Sequence, residues 1–268
     1  MYDRFSSLQR EFQYTDCVAS TNAALRDVVL KTGRPWFGVL CADRQTGGIG
    51  RQGRSFFSPA GGIYFSAVYP FTGKEAHLPF FSLLAGLQVC KTLERFSSVP
   101  LQIKWPNDLW LNGKKVCGIL AQTVFVENAP VAILGVGINA ALPAEEIPAE
   151  LKNIMTSFFA EGVCLPEKKE IVKNIVAALD AEVYQRQALC GDLSGYIDEI
   201  GRRNALLNKR VTRVLPRGTV GGVALGLSED GGLLIRTDAG ETEEITCGEV
   251  LPESAVTTGG EQNPPSFR

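Results

Sequence analysis

Apolar positions along the chain switch between a helical and a strand-like period, and glycine, proline and asparagine mark the switches. Ser20-Thr21-Asn22 stands before the run Ala23 to Leu30, with Gly33 after it, so a hydroxyl or amide cap opens a helix that a glycine closes. Trp36 to Ala42 reads as a buried strand, a glycine-rich loop runs from Thr46 to Arg54, and Gly62 to Tyr69 reads as a second strand. A long helix is expected from about Leu78 to Arg95. Beyond it the pattern predicts a strand over Leu101 to Trp105, a hairpin over Leu109 to Gln122 turning at Asn112-Gly113, and a strand over Val131 to Ile138. Asn-Gly suits such a turn because both residues tolerate positive φ. Pro166 opens an amphipathic helix with Ile171, Ile175, Ala178, Leu179 and Val183 near helical spacing, and a shorter helix falls between Leu193 and Arg203. From Lys209 to Val250 short β-rich runs are separated by Pro216-Arg217-Gly218, Glu229-Asp230-Gly231-Gly232 and Asp238-Ala239-Gly240, the mark of a small antiparallel barrel.

Strands that meet mostly in hairpins, with helices gathered elsewhere, indicate an α+β chain rather than a doubly wound parallel sheet. The change of texture divides it into residues 1–207, a small domain over 208–254 and a tail, 255–268, expected to be disordered for its Gly, Asn and Pro content. A length of 268 residues is ample for a real core, and 45% hydrophobic with 21% charged residues excludes disordered and fibrous classes. With 27 Lys and Arg against 29 Asp and Glu, the chain carries no footprint for a polyanion, so neither nucleic acid nor an anionic membrane is expected as a partner. The start Met1-Tyr2-Asp3-Arg4 is too polar for a signal peptide and no run of 18 apolar residues exists, so a cytoplasmic protein is expected. The seven cysteines, Cys17, Cys41, Cys90, Cys117, Cys164, Cys190 and Cys247, include no C-x-x-C pair and read as buried reduced thiols. The sole histidine, His77, leaves little room for a triad or a His-based metal site and reads as a helix-entry residue.

Two clusters carry the candidate chemistry. Gly48-Ile49-Gly50-Arg51-Gln52-Gly53 matches G-x-G-x-x-G, and Gly48 to Ser55 nearly matches a P-loop. Both motifs deliver phosphate to a helix that starts directly after the glycines, whereas here Phe56-Phe57-Ser58-Pro59-Ala60-Gly61-Gly62 leads into a strand. Glycines that expose backbone amides, with Arg51 and Arg54 among them, suggest instead an anion site for a carboxylate or phosphate. The second cluster is Lys104-Trp105-Pro106-Asn107-Asp108 followed by Asn112-Gly113-Lys114-Lys115-Val116-Cys117-Gly118-Ile119-Leu120. Taken singly it is a strand ending in a Pro-Asn-Asp turn, with lysines guarding an edge. Together with the arginine loop, a strand-end acid and a lysine seven residues later can supply a metal–phosphate ligand and cationic stabilisers for attack on an ATP α-phosphate.

With those residues in place the chain resembles the biotin protein ligase family. The likeness covers Ser20-Thr21-Asn22, Gln45 to Arg54, Ser58-Pro59 with Gly61-Gly62, Lys104 to Asp108, Lys114 to Leu120, Gly135-Val136-Gly137-Ile138-Asn139 and the small C-terminal barrel. The resemblance implies a catalytic domain like that of class II aminoacyl-tRNA synthetases, with a mixed, largely antiparallel sheet, followed by an SH3-like β-barrel. It also implies that Mg-ATP activates biotin to biotinyl-5′-AMP and that a lysine of a biotin carboxyl carrier protein domain, of acetyl-CoA carboxylase or a related carboxylase, then attacks it. By position, Ser20, Thr21, Asn22 and Gln45 resemble the family's biotin-pocket residues. Gly48, Gly50, Arg51 and Arg54 fall on the loop that closes over biotin and the adenylate. Lys115 and Gly118 match positions at the biotin carboxylate and acyl phosphate, Asn139 matches a ligand contact at a strand end, and Lys104, Trp105, Asn107 and Asp108 match the nucleotide and Mg²⁺ side. Asp108 is expected to ligate magnesium, with general-base action on the carrier lysine as its other reading; Arg51 and Lys115 are expected to be catalytic. The loop departs from the family's usual G-R-G-R-x-G-R at Ile49, and Phe56 stands where tryptophan is frequent.

Some ligases of this family carry an N-terminal winged-helix DNA-binding domain; with about nineteen residues before Ser20, a short form without it is expected, and no operator binding. A homodimer is left open. Two rivals stand beside this reading: a lipoate or octanoate ligase, which shares the fold, and a non-catalytic protein that binds biotin or biotinyl-adenylate, to which Ile49 lends some support.

Overall fold

The computed structural model describes residues 10–34, 37–70, 80–97, 99–185, 192–215 and 218–253. His77, Cys190, Trp36, the expected start of the long helix and the expected tail lie outside the described residues.

The large sheet has seven strands: β1 (Glu11–Val18), β2 (Gly38–Gln45), β3 (Ile63–Pro70), β4 (Gln102–Lys104), β5 (Asp108–Leu111), β6 (Lys114–Val126) and β7 (Ala129–Ile138). Their spatial order is β1-β2-β3-β7-β6-β5-β4. Only β1 and β2 run parallel, joined through helix α1 (Thr21–Thr32); every other neighbour in this sheet pairs antiparallel. The sheet is therefore mixed and largely antiparallel, on an α+β plan. β1 was not expected from the sequence, and β2 runs three residues past the expected Ala42.

Strand β3 is buried along its whole length, and its alternate side chains serve two cores. Phe65, Ala67 and Tyr69 join the main core with helices α2 (Phe81–Leu93) and α3 (Lys168–Asp180), while Val68 packs with Leu25 and Val29 of α1. A strand covered on both faces has no polar side to alternate with, which is why it reads as one apolar run. Ser66 is the one small polar side chain inside that run, and it is fully buried. α1 begins as expected, with the Ser20 hydroxyl accepting from the Ala23 N–H, and ends at Gly33 in the left-handed region.

Helix α4 (Ser194–Arg202) leads to the second sheet, five antiparallel strands in the order β11-β10-β9-β8-β12. These are β8 (Arg210–Val214), β9 (Thr219–Leu227), β10 (Leu233–Thr237), β11 (Thr242–Ile245) and β12 (Glu249–Pro252). The Trp105 indole N–H donates to the Gly231 carbonyl at 3.0 Å and joins the end of β4 to this sheet. The six described cysteines are unbridged, and Cys41, Cys90 and Cys117 are buried. Cys164 and Cys247, expected to be buried, are exposed because both fall in connecting segments. Among the described residues no helix is long and apolar enough to cross a membrane.

Candidate active site

A cleft opens between the N-terminus of α1, the glycine-rich loop, the near ends of β6 and β7, and β12. Its two ends differ in chemistry.

The uncharged end is built on α1 and the strands beside it. Thr21 donates through both its N–H and its hydroxyl to Gln45 Oε1, at 2.8 and 3.1 Å. Gln45 Nε2 donates to Ser58 Oγ at 3.0 Å, and the Ser58 hydroxyl donates to the Phe56 carbonyl at 2.9 Å. The Ser66 hydroxyl lies 2.8 Å from Thr21 Oγ1 and 2.6 Å from Asn22 Oδ1. Asn22 Nδ2 in turn donates to Gln122 Oε1 at 3.0 Å, so both ends of that amide are fixed. Ser20, Thr21, Asn22 and Ser58 are all buried.

The floor is set by glycines on paired strands. Gly118 of β6 faces Gly137 of β7, and a Cβ on either would come within 2.8 or 2.4 Å of the Phe56 ring. The absent side chains let the ring approach the sheet closely. Lys115 Nζ stands 5.5 Å from the centre of that ring.

At the charged end, Lys115 Nζ forms an ion pair with Asp108 Oδ1 at 2.7 Å. Arg51 Nη1 donates to Asn107 Oδ1 at 3.2 Å, while Asn107 Nδ2 donates to the Ile119 carbonyl at 2.8 Å. Burial lowers the pKa of Arg51, with Asp108 acting against the shift, and lowers that of the Lys104 amine for the same reason. Arg54 holds the Glu249 carboxylate of β12 through both its terminal nitrogens, one at 2.6 Å. That hydrogen bonding keeps Glu249 below the ordinary carboxylate range.

Of the residues expected from the sequence, the cleft brings together Ser20, Thr21, Asn22, Gln45, Gly50, Arg51, Arg54, Lys104, Asn107, Asp108, Lys115 and Gly118, and also Ile49. Three stand outside its lining. Trp105 is 2% exposed and packs in the core, because its strand neighbour Lys104 takes the cleft side. Gly48 backs onto the Phe56 carbonyl, which would lie 2.4 Å from a Cβ there. Asn139 is buried and its Nδ2 donates to the Thr156 carbonyl at 2.9 Å. Sequence reasoning missed Ser66, Gln122 and Glu249. A lone hydroxyl in an apolar strand signals Ser66; nothing local signals Glu249, which is 195 positions from Arg54.

Among the described residues no three metal-ligating side chains cluster. The donor set nevertheless fits magnesium, which takes one or two carboxylates and completes its shell with water and nucleotide phosphate. Asp108 and Glu249 are the carboxylates in the cleft lining, paired here with Lys115 and Arg54.

Comparison with known proteins agrees with this geometry. Residues 14–139 match the model of the biotin/lipoate A/B protein ligase family, and residues 206–251 match the biotin protein ligase C terminal domain. The chain is 29% identical to the biotin–[acetyl-CoA-carboxylase] ligase of Mycobacterium tuberculosis, over 88% of each chain. It is also 29% identical to the bifunctional ligase/repressor BirA of Bacillus spizizenii, over 85% of this chain and 70% of that one. The biotin protein ligase of Aquifex aeolicus in complex with biotin and ATP superimposes with a TM-score of 0.74 at 29% identity, over 90% of this chain and 99% of that one. A mutant of the same enzyme with biotin bound is 30% identical and superimposes with a TM-score of 0.73, over 90% and 97%. The chain belongs to the biotin protein ligase family.

Proposed function

We propose that this protein is an ATP-dependent biotin protein ligase, which activates biotin to biotinyl-5′-AMP and passes biotin to a lysine of a carboxyl carrier domain. The observation that carries this reading is the two-ended cleft: fixed uncharged donors and acceptors around Thr21, Asn22 and Gln45 at one end, and Arg51, Lys104, Lys115 and Asp108 at the other. The uncharged end suits a buried ureido group, which has N–H donors and a carbonyl acceptor but no charge.

A carboxylate is a poor acyl donor. Its oxygen attacks the α-phosphorus of ATP, the bond from that phosphorus to the bridging oxygen breaks, and pyrophosphate leaves. Arg51 and Lys115 stabilise the charge that develops at the phosphate and carboxylate oxygens. Asp108 would hold magnesium together with the nucleotide, and the ion would then neutralise charge on the phosphates. In the second step the carrier amine attacks the acyl carbon, AMP leaves with its bonding electrons, and the amine loses a proton. With a pKa near 10.4, only about 4 in 10,000 such amines are neutral at pH 7, so desolvation at the cleft mouth and proton removal both raise the rate.

The test is mass spectrometry of the small-molecule products after incubation with Mg-ATP and biotin, with lipoate and octanoate in parallel. Biotinyl-AMP is the expected product. A lipoyl or octanoyl adenylate would assign the chain to the rival ligases, and no adenylate at all would make it a binding protein. Asp108→Ala is expected to impair pyrophosphate release. Normal release with a defect confined to transfer would make Asp108 the base for the carrier lysine instead.

A further inference from the structure

The Lys115 ammonium rests against Asp108, yet the strand ladder alone does not fix where Lys115 points. The register between β5 and β6 slips by one residue next to it: Leu109 faces Cys117 whereas Trp110 faces Lys115. Such a bulge loosens and re-aims the strand that carries it. The backbone of Lys115 is instead held from outside the hairpin. Its N–H donates to the Ile154 carbonyl at 3.0 Å, and its carbonyl accepts from the Thr156 N–H at 2.9 Å. The segment that makes these bonds is held from below by Asn139, whose Nδ2 donates to the Thr156 carbonyl, and is tied to the hairpin turn by Glu161. The Thr156 hydroxyl donates to Glu161 Oε1 at 2.7 Å, and Asn112 Nδ2, in the β5–β6 turn, donates to Glu161 Oε2 at 2.6 Å.

We propose that Glu161 is a positioning residue for Lys115: one carboxylate ties the hairpin turn to the segment paired with Lys115 and so holds the ammonium in the cleft. Both oxygens are used, one on each side of the gap the clamp must span. Asn112 lies at positive φ, three residues before Lys115, so loss of its partner frees the turn that leads into Lys115. Those two hydrogen bonds also hold the Glu161 carboxyl below its ordinary range. Glu161 is absent from the cleft lining and acts only through the backbone it clamps.

This role presupposes the adenylation chemistry assigned to Lys115 above, so the experiment has two independent readouts. Glu161→Ala removes both acceptors at once. Thr156→Val removes the hydroxyl, and Thr156→Ser restores it. The first readout is the rate of pyrophosphate release with biotin and Mg-ATP. The second is pulse acetylation of Lys115 with acetic anhydride, measured by peptide mass spectrometry relative to exposed Lys31. Glu161→Ala and Thr156→Val are each expected to lower kcat about tenfold while the KM for biotin stays within about twofold, because a small misplacement of a reacting group costs rate rather than affinity for the remote end. Lys115 acetylation rises several-fold in the same two variants and stays at the wild-type level in Thr156→Ser. The double variant falls no further than either single one, since both cut one link.

Unchanged kcat, a loss confined to KM, or a fall in kcat without a rise in Lys115 acetylation overturns the proposal. If the wild-type protein releases no pyrophosphate with biotin, the adenylation reading fails on its own. Acetylation then decides the clamp: a rise in the two variants supports it and equal labelling overturns it.

Discussion

At the uncharged end of the cleft every polar side chain is already spoken for by its neighbours; at the charged end two of the four cations, Lys115 and Arg54, are held by carboxylates that an incoming phosphate would replace. Thr21, Gln45, Ser58, Ser66, Asn22 and Gln122 form one chain of hydrogen bonds between 2.6 and 3.1 Å. Such a network is rigid, and a ligand bound there gains by matching groups whose orientation is set in advance. At the other end Lys115 sits on Asp108 and Arg54 on Glu249, and these side chains keep between 15% and 55% of their surface open to solvent. Exchange of a carboxylate for a phosphate there keeps Lys115 and Arg54 paired throughout. On the proposed reading the contrast divides recognition from reaction in space: affinity for biotin is expected to belong to the first end and the rate to the second.

The largest break in that division is expected from Lys115→Ala. Removing one preorganised cation from the charged end lowers the rate of pyrophosphate release roughly 100- to 1,000-fold, while biotin binding measured by calorimetry stays near wild type. A parallel collapse of biotin affinity would mean that the two ends are one site. The converse change is Gly135→Ala. A Cβ at Gly135 would come within 2.4 Å of Asn22 Oδ1, which displaces the amide that Ser66 and Gln122 hold. The KM for biotin is expected to rise about tenfold, in line with a buried hydrogen bond broken at a cost of about 1–3 kcal/mol, with kcat little altered. A fall in kcat with KM unmoved would reverse the assignment of that end.

How far the sequence foretold this arrangement follows from how local each feature is. The Ser20 cap, the Asn112-Gly113 turn and the two motif clusters are written in adjacent residues, and the fold delivers most of their polar side chains to one cleft. Trp105 shows where adjacency misleads. Within Lys104-Trp105-Pro106-Asn107-Asp108 it shares the motif with four cleft residues, yet it faces the core and the Gly231 carbonyl. The edge strand β1 was missed because Glu11–Val18 mixes polar and apolar residues and its burial follows no clean alternation. Its strand state comes from parallel pairing with β2 across α1, a tertiary contact. Glu249 was missed for the same reason, since its meeting with Arg54 exists only once both sheets are assembled.

Ile49 sharpens the comparison because it puts an apolar side chain in the reactive half. It lines the cleft at 39% exposure, and its backbone bridges Ser55 across the loop. An isoleucine neither neutralises phosphate nor donates a hydrogen bond. Ile49→Arg is expected to speed adenylation or slow loss of the adenylate, by a few-fold, because a new cation that remains solvated contributes far less than a buried one. Stopped-flow measurement of adenylate formation and release checks this, and unchanged rates for both would show that Arg51, Lys104 and Lys115 already saturate the site.

The smallest effect belongs to Glu249→Gln, which separates what the second sheet does for stability from what it does for the cleft. The ion pair it removes is partly solvated, with Arg54 55% exposed, so the loss of stability at pH 7 is expected to stay below about 1 kcal/mol. Its pH dependence has a definite sign. Arg54 holds the folded Glu249 carboxyl below its unfolded value, so the contribution is present above the unfolded pKa, about 4.3 for a glutamate, and disappears as pH falls through the lower folded value. Denaturant midpoints of wild type and Glu249→Gln should therefore differ at neutral pH and converge in acid. The gap should also narrow as salt is raised, since ions screen an exposed pair. A gap that held constant through the acid range and in high salt would mean that Glu249 acts by packing β12 against the loop rather than by its charge.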